Sequence, residues 1–451
     1  MKNLSTTLIS TLLLSGSLLA SNIGESVKEN SLIVYNGGIG LVHEKRSLSL
    51  KKNENSILYK DVARSIDIDS VSVKLPDDIQ LYSQQYRFDK LTQTKLLNAH
   101  VGKAVEVKVL KDTKNFKIIK ATLLSAEGSS CLIKTASKKI ISVNAQNIIF
   151  KTIPHELITK PSLVWNVKTK QNVDSNIELD YLIKNISWKS DYILNINKNS
   201  AQLIGWISID NRSGKRYEQT QLSVLAGEIN SAHRPQPTMY RKALMMSAEA
   251  APVKNTAHEG YHIYKIPFKV TLANNEKTQI KFISLNNLKI NRSYSTHLQN
   301  PLYQRAQSNH NVTQYINIKA LKTQLPKGII RSYSQLQNQK ILLGQTFINH
   351  TAKKTPIKLK IGTNFDTKVS AKLLNRDDTK YRFNSTLEYK VQNSSEETKI
   401  VELLIPFTLN SHSSVKSSMS FHKKQGNLIS FSVKIAPESS KKFSVTFVSK
   451  K

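Results

Sequence analysis

Apolar and polar residues alternate with period two along almost the whole chain. Val105, Val107 and Val109 alternate with Glu106 and Lys108; Ile177, Leu179 and Tyr181 with Glu178 and Asp180; Leu387, Tyr389 and Val391 with Glu388 and Lys390. Near the end, Phe431, Val433 and Ile435 alternate with Ser432 and Lys434, and Phe443, Val445 and Phe447 with Ser444 and Thr446. Successive side chains of a strand point to opposite faces, so each run predicts a strand with one buried and one wet face. Helical periodicity is confined to 91–97 and 240–250. The fold class this predicts is all-β.

The punctuation between runs divides the chain. Asn36-Gly37-Gly38 separates two alternating runs, 31–35 and 39–50, and its glycines supply the positive φ of a tight hairpin turn. Five short runs follow one another at 104–110, 115–125, 130–134, 139–143 and 147–151, the even spacing of a small SH3-like barrel. Longer runs between 162 and 230 carry all three tryptophans, Trp165, Trp188 and Trp206, which predicts a core because an indole buries a large apolar area. A break from 231 to 257 holds Pro235, Pro237 and Pro252 with Met239, Leu244, Met245 and Met246. Strands resume at Tyr261 and, after a polar stretch at 291–312 read as irregular, continue to Phe447. The expected organisation is a leader at 1–20, an N-terminal β region at 24–100, the small barrel at 101–152, a central sandwich at 153–290 with its 231–257 loop, and a C-terminal sandwich-like domain at 291–451.

The first 20 residues interrupt this pattern. Lys2, an apolar stretch from Leu8 to Leu19 and the small residues Gly16, Ser17, Ala20 and Ser21 form the three regions of a secretory signal peptide. The stretch is too short and too often broken by serine and threonine to cross a bilayer as a helix, which takes about 20 apolar residues. A periplasmic or secreted protein of a Gram-negative-type bacterium is expected. Cys131 is the only cysteine, so no intrachain disulfide forms despite the oxidising compartment that export implies, and stability must come from packing.

Export also changes the meaning of the charge. The formal net charge is +34, but only 12 of the 66 basic residues are arginine and no basic run exceeds two. Phosphate recognition by planar forks favours arginine, so nucleic acid is not expected as a partner. An envelope protein, a glycan or an anionic surface is. An outer-membrane barrel would need an aromatic girdle and an uncharged lipid-facing side; aromatics are 7% and lysine is spread throughout. No membrane span is expected once the leader is removed.

Several stretches together resemble the bacterial domain of unknown function 4139 family, related to proteins labelled mucoidy inhibitor A. They are IVYNGGIGLVHEKRSLSL at 33–50, YRFDKLTQTKLLNAHVGKAVEV at 86–107, ISWKSDYILNI at 186–196, GWISIDNRSGKRYEQTQLSVLAGEIN at 205–230 and HIYKIPFKVTL at 262–272. The resemblance implies an exported, β-rich protein and assigns no activity. Trp188, Asp191, Gly214 and Tyr217 match its characteristic positions and suit packing and turns.

Chemical motifs are few. His258-Glu259-Gly260-Tyr261-His262 satisfies H-E-x-x-H, which on one helical turn aims two imidazoles at a zinc ion and a glutamate at its water. Gly260 disfavours helix, the residues after it alternate like a strand, and Lys265 and Phe268 stand where the extended motif needs glycine and histidine. A metal-dependent hydrolase at His258, Glu259 and His262 is therefore the alternative reading. His233 with Met239, Met245 and Met246 could offer soft ligands to copper, but the spacing is irregular. Ser49-Leu50-Lys51-Lys52 and Ser439-Ser440-Lys441-Lys442 fit S-x-x-K without its companion motifs, and no G-x-S-x-G or phosphate-binding loop occurs. The expected function is non-enzymatic binding or scaffolding in the envelope, without cofactor. Met239, Leu244, Met245 and Met246 are the partner-binding candidates, because apolar side chains on a long loop are poorly explained by solvation.

Overall fold

The computed structural model describes residues 20–23, 26–111, 115–154, 157–226, 257–258 and 261–450. Strands dominate them, and the single α-helix among the described residues is Gln93–His100. It lies where the short helical period falls, and Thr92 caps it by accepting a hydrogen bond from the Lys95 amide. The chain divides into two compact units, one built from 1–187, 210–225 and 264–277, the other from 188–209, 226–263 and 278–451. Both draw on separated segments, because the paired strands are far apart in sequence.

The first unit holds three sheets. In the largest, Val27–Tyr35 and Ile39–Leu50 form the hairpin turned by Gly37 and Gly38, and Val173–Lys184 and Tyr217–Ala226 flank it. Val42, Leu48 and Leu50 are buried on one face of the second hairpin strand, with period two. A smaller sheet orders Ala20–Ile23, Ser56–Lys60, Ser162–Thr169 and Ile79–Arg87, and buries Trp165 against the Tyr59 ring at 5.5 Å between centroids. The third is an antiparallel meander in the order Ile140–Asn144, Ser130–Thr135, Phe116–Glu127, Ala104–Leu110, Ile148–Ile149. Its core gathers Val105, Val107, Leu123, Ile133 and the free Cys131, with Leu97 of the helix. Cys131 is thus a small buried strand residue, and burial pushes its thiol pKa up.

The second unit is built on one long sheet. Its order runs Gln339–Ile348, Gly328–Leu336, Ile186–Asn197, Ser200–Asn211, Glu276–His297, Ser308–Ile318, Ile357–Asp378, Arg382–Asn393, Ser439–Lys450, Ser413–Ser417. Two cores form along it. One gathers Tyr192, Leu194, Leu203, Ile316, Ile330 and Leu359. The other is sandwich-like: Val369, Leu387, Tyr389, Val445 and Phe447 from the long sheet meet Val401, Leu403 and Phe431 from Lys399–Pro406 and Leu428–Ile435. Gly205 is required where the Phe282 and Ile283 side chains cross it, since a Cβ there would meet Ile283 at 2.3 Å. The polar stretch read as irregular is mostly strand: Glu276–His297 runs into it and Ser308–Ile318 runs out of it. Its strand residues are held by backbone pairing, with Asn291 exposed but Ser295 and Thr296 buried, which composition does not register.

Candidate functional site

Two clusters of polar side chains stand out, one sealed and one open. The sealed cluster lies in the first unit. Glu44 and Arg46 are two residues apart on Ile39–Leu50, so they share its inward face with Val42 and Leu48, and both are fully buried. The Glu44 carboxylate accepts from Lys215 Nζ at 2.6 Å, Tyr59 Oη at 3.0 Å and Arg46 Nε at 3.2 Å, and also from Arg46 Nη2. The Arg46 guanidinium lies over the Tyr59 ring at 4.0 Å and donates to the Lys60 carbonyl at 2.6 Å. Asp61 adopts a left-handed φ of 61°, and its carbonyl accepts from both Arg46 and Lys215. Burial raises the Glu44 pKa, but the charges of Lys215 and Arg46 and their hydrogen bonds outweigh it and hold the carboxyl at about 2. Burial drives the Tyr59 and Tyr217 hydroxyls in the opposite direction, well above their usual range. Three of its donors reach Oε2 and one reaches Oε1, and the depressed pKa keeps the carboxylate ionised at neutral pH. The cluster ties Ile39–Leu50 to Tyr59, Asp61 and Lys215.

The open cluster lies in the second unit and is built from four neighbouring strands and the edge strand beside them. Asn195 on Ile186–Asn197 is in register with Tyr333 on Gly328–Leu336. Gln202 lies on the adjacent Ser200–Asn211, and Asn286 on Glu276–His297 beyond it. Lys340 of the edge strand donates to Asn195 Oδ1 at 3.2 Å, Asn195 Nδ2 to Gln202 Oε1 at 3.1 Å, and Gln202 Nε2 to Asn286 Oδ1 at 2.8 Å. All donors in this row point one way, and it ends on the amide nitrogen of the exposed Asn286. Asn287 has a left-handed φ of 53°, which asparagine tolerates better than most residues. Asn286 and Asn287 both line the cleft. The cleft encloses about 600 Å³, is completed by Asn197, Ser200, Ser334 and Gln335, and has Lys340 as its one charged lining residue. Its volume falls in the ~300–1,000 Å³ range of small-molecule sites.

The candidates singled out in the sequence are distributed differently. Met239, Leu244, Met245 and Met246, His233 and Glu259 lie outside the described residues. Around the H-E-x-x-H motif, Ala257–His258 and Tyr261–Leu272 are strands, paired Ala257 with His262 and His258 with Tyr261. The two histidines sit on opposite arms of a hairpin, so the single helical turn the zinc motif needs is not formed. Among the described residues no group of three or more His, Cys, Asp or Glu is placed to hold a metal ion. No helix among them is long and apolar enough to cross a membrane.

Trp165 and Trp188 are buried, and Trp206 is half-buried. Asp191 is buried and accepts from Arg331 at 3.0 Å. Gly214 takes a left-handed φ of 83°, with the Arg64 side chain where a Cβ would stand, and so turns the chain that delivers Lys215 to Glu44. Neither polar cluster is conspicuous in sequence. A signal did exist for the sealed one, two opposite charges in phase with Val42 and Leu48; in the amide row Asn195 and Gln202 are neighbours in sequence, but Asn286 lies 84 residues from Gln202 and Lys340 145 from Asn195, so the row leaves no local pattern. No protein-family model, no characterised protein and no solved structure matches the chain.

Proposed function

We propose that the protein is an exported, non-enzymatic binding protein of the cell envelope whose amide-lined cleft takes a neutral oligosaccharide. The observation that carries this reading is the directed row Lys340, Asn195, Gln202, Asn286 beside Tyr333. A primary amide offers both donors and acceptors in one plane, which is what a ring of hydroxyl groups needs, and an aromatic side chain offers a flat apolar partner to the other face of a sugar. A row with one charge among many neutral groups favours neutral over strongly anionic ligands, in spite of the +34 carried by the chain. Export rests on the N-terminal pattern. Ala20–Ile23 is a strand paired in parallel with Ser56–Lys60, so a chain cut after Ala20 would begin inside the sheet. The resemblance to the domain of unknown function 4139 family adds an exported, β-rich setting and no activity.

The test is a glycan array probed with the full chain. Neutral oligosaccharides are expected to bind, and Tyr333→Ala and Gln202→Ala to lose about tenfold or more in affinity, the worth of one or two buried hydrogen bonds or a stacked ring. An array on which only anionic polymers bind, unaffected by these substitutions, contradicts the reading.

A further inference from the structure

Apolar side chains are exposed most densely on the antiparallel meander of the first unit. Val105 and Val107 turn inward to its core, so Lys108 and Leu110 turn outward. On the paired strand, Ala121 and Leu123 turn inward, so Phe116 and Ile118 turn outward. Register sets Leu110 opposite Phe116 and Lys108 opposite Ile118. Leu110 is 65% exposed, Phe116 54% and Ile118 61%, although three large apolar side chains this close would ordinarily bury one another. The Lys108 ammonium lies 4.2 Å from the Phe116 ring centre, Lys120 is exposed at the next position on the same face as Phe116 and Ile118, and Lys111 and Lys117 are exposed beside Leu110 and Phe116 in the chain. Residues 101–153 contain ten lysines, no arginine and three acidic residues.

We infer that this hairpin end docks the protein on an anionic lipid bilayer, with Leu110, Phe116 and Ile118 entering the interface and the surrounding lysines meeting headgroup phosphates. The combination of apolar wedge and cationic collar is what an interfacial anchor needs. Apolar area drives insertion, and flexible lysine stems reach from a submerged backbone to the headgroups. Nucleic acid fits less well, since residues 101–153 hold no arginine to fork onto phosphates and Phe116 is the one aromatic in the exposed group it forms with Leu110 and Ile118. A second copy would bring two strongly positive faces together. The inference is independent of the oligosaccharide cleft, which lies on other strands.

The experiment uses the full chain with vesicles of phosphatidylcholine, with or without about one-third phosphatidylglycerol, a content that gives a negative surface. Cosedimentation with the anionic vesicles and little with the neutral ones is expected. Leu110→Ser with Phe116→Ser should weaken it about tenfold or more, because each side chain forfeits the transfer of its apolar area. A fluorophore on Phe116→Cys, specific because Cys131 is buried, should shift to shorter wavelength on the vesicles. That variant keeps the inference falsifiable if the double serine variant fails to fold. Equal binding to both vesicles, an unshifted label, or a dimer that dissociates in the serine variant would each overturn it, the last in favour of a second copy.

Discussion

The sealed Glu44 cluster and the open amide row are both networks of polar side chains on β-sheets, and they make opposite use of that material. In the first, every strong group is paired inside the protein: one carboxylate faces an arginine, a lysine and a tyrosine. In the second, neutral groups are paired only along one line, Lys340 to Asn195 to Gln202 to Asn286, and the rest of their capacity faces a cleft. Glu44, Tyr59 and Tyr217, whose pKa values are strongly displaced, lie in the sealed cluster, where no ligand could reach them. Strongly shifted titrating groups point to function only when they are accessible; here they belong to a buried clamp, and the amide row is the site we propose.

The comparison breaks most visibly at Glu44. Glu44→Gln leaves Arg46 buried without its counter-charge and Lys215 with only the Asp61 carboxylate at 3.8 Å, and is expected to cost about 3–5 kcal/mol in chemical denaturation. A loss under about 1 kcal/mol would show that the cluster does not clamp the unit. Its pH dependence follows from the depressed carboxyl. A folded-state pKa of about 2 against an ordinary 4.5 means that the ionised carboxylate contributes stability in full above about pH 4.5. That contribution fades as pH falls toward 2 and is gone below it. The stability gap between the native protein and Glu44→Gln should therefore narrow between pH 5 and 2 and stay flat from 5 to 8.

Smaller effects sharpen the open side. Asn287→Val forces a β-branched residue into the left-handed φ of 53° and is expected to cost about 1–2 kcal/mol, and to weaken ligand binding by moving Asn286; Asn287→Gly should leave both nearly unchanged. Asn195→Ala with Gln202→Ala removes half-exposed amides. The expected change in stability is under about 1 kcal/mol, with affinity reduced about tenfold. Destabilisation like that of Glu44→Gln would move the amide row into the same class as the clamp.

How much of this was legible in the sequence depended on distance along the chain. The hairpin at Asn36-Gly37-Gly38, the helix near 91–97 and the five meander strands follow from local periodicity; each meander boundary falls within two residues of where the alternation sets it, whereas the helix ends three residues later, at His100, and the first hairpin strand begins four residues earlier, at Val27. The strands inside 291–312 escaped because their polar residues resemble those of a loop, and only pairing with distant partners reveals them. Glu44 and Arg46 were visible as charges in phase with the apolar face, yet their partner Lys215 lies 171 residues from Glu44. The cleft was least legible, since Tyr333 and Asn195 meet only through a parallel pairing of strands more than 100 residues apart.

The most direct measurement of the central claim is calorimetric titration of the full chain with the neutral oligosaccharide that binds best on the array, at low and high salt. Saturable binding at one site, little changed by salt because the ligand carries no charge for Lys340 to attract, and weakened about tenfold in Asn195→Ala with Gln202→Ala, is the expected result. Binding that vanishes with salt, or that survives the double substitution intact, would contradict it.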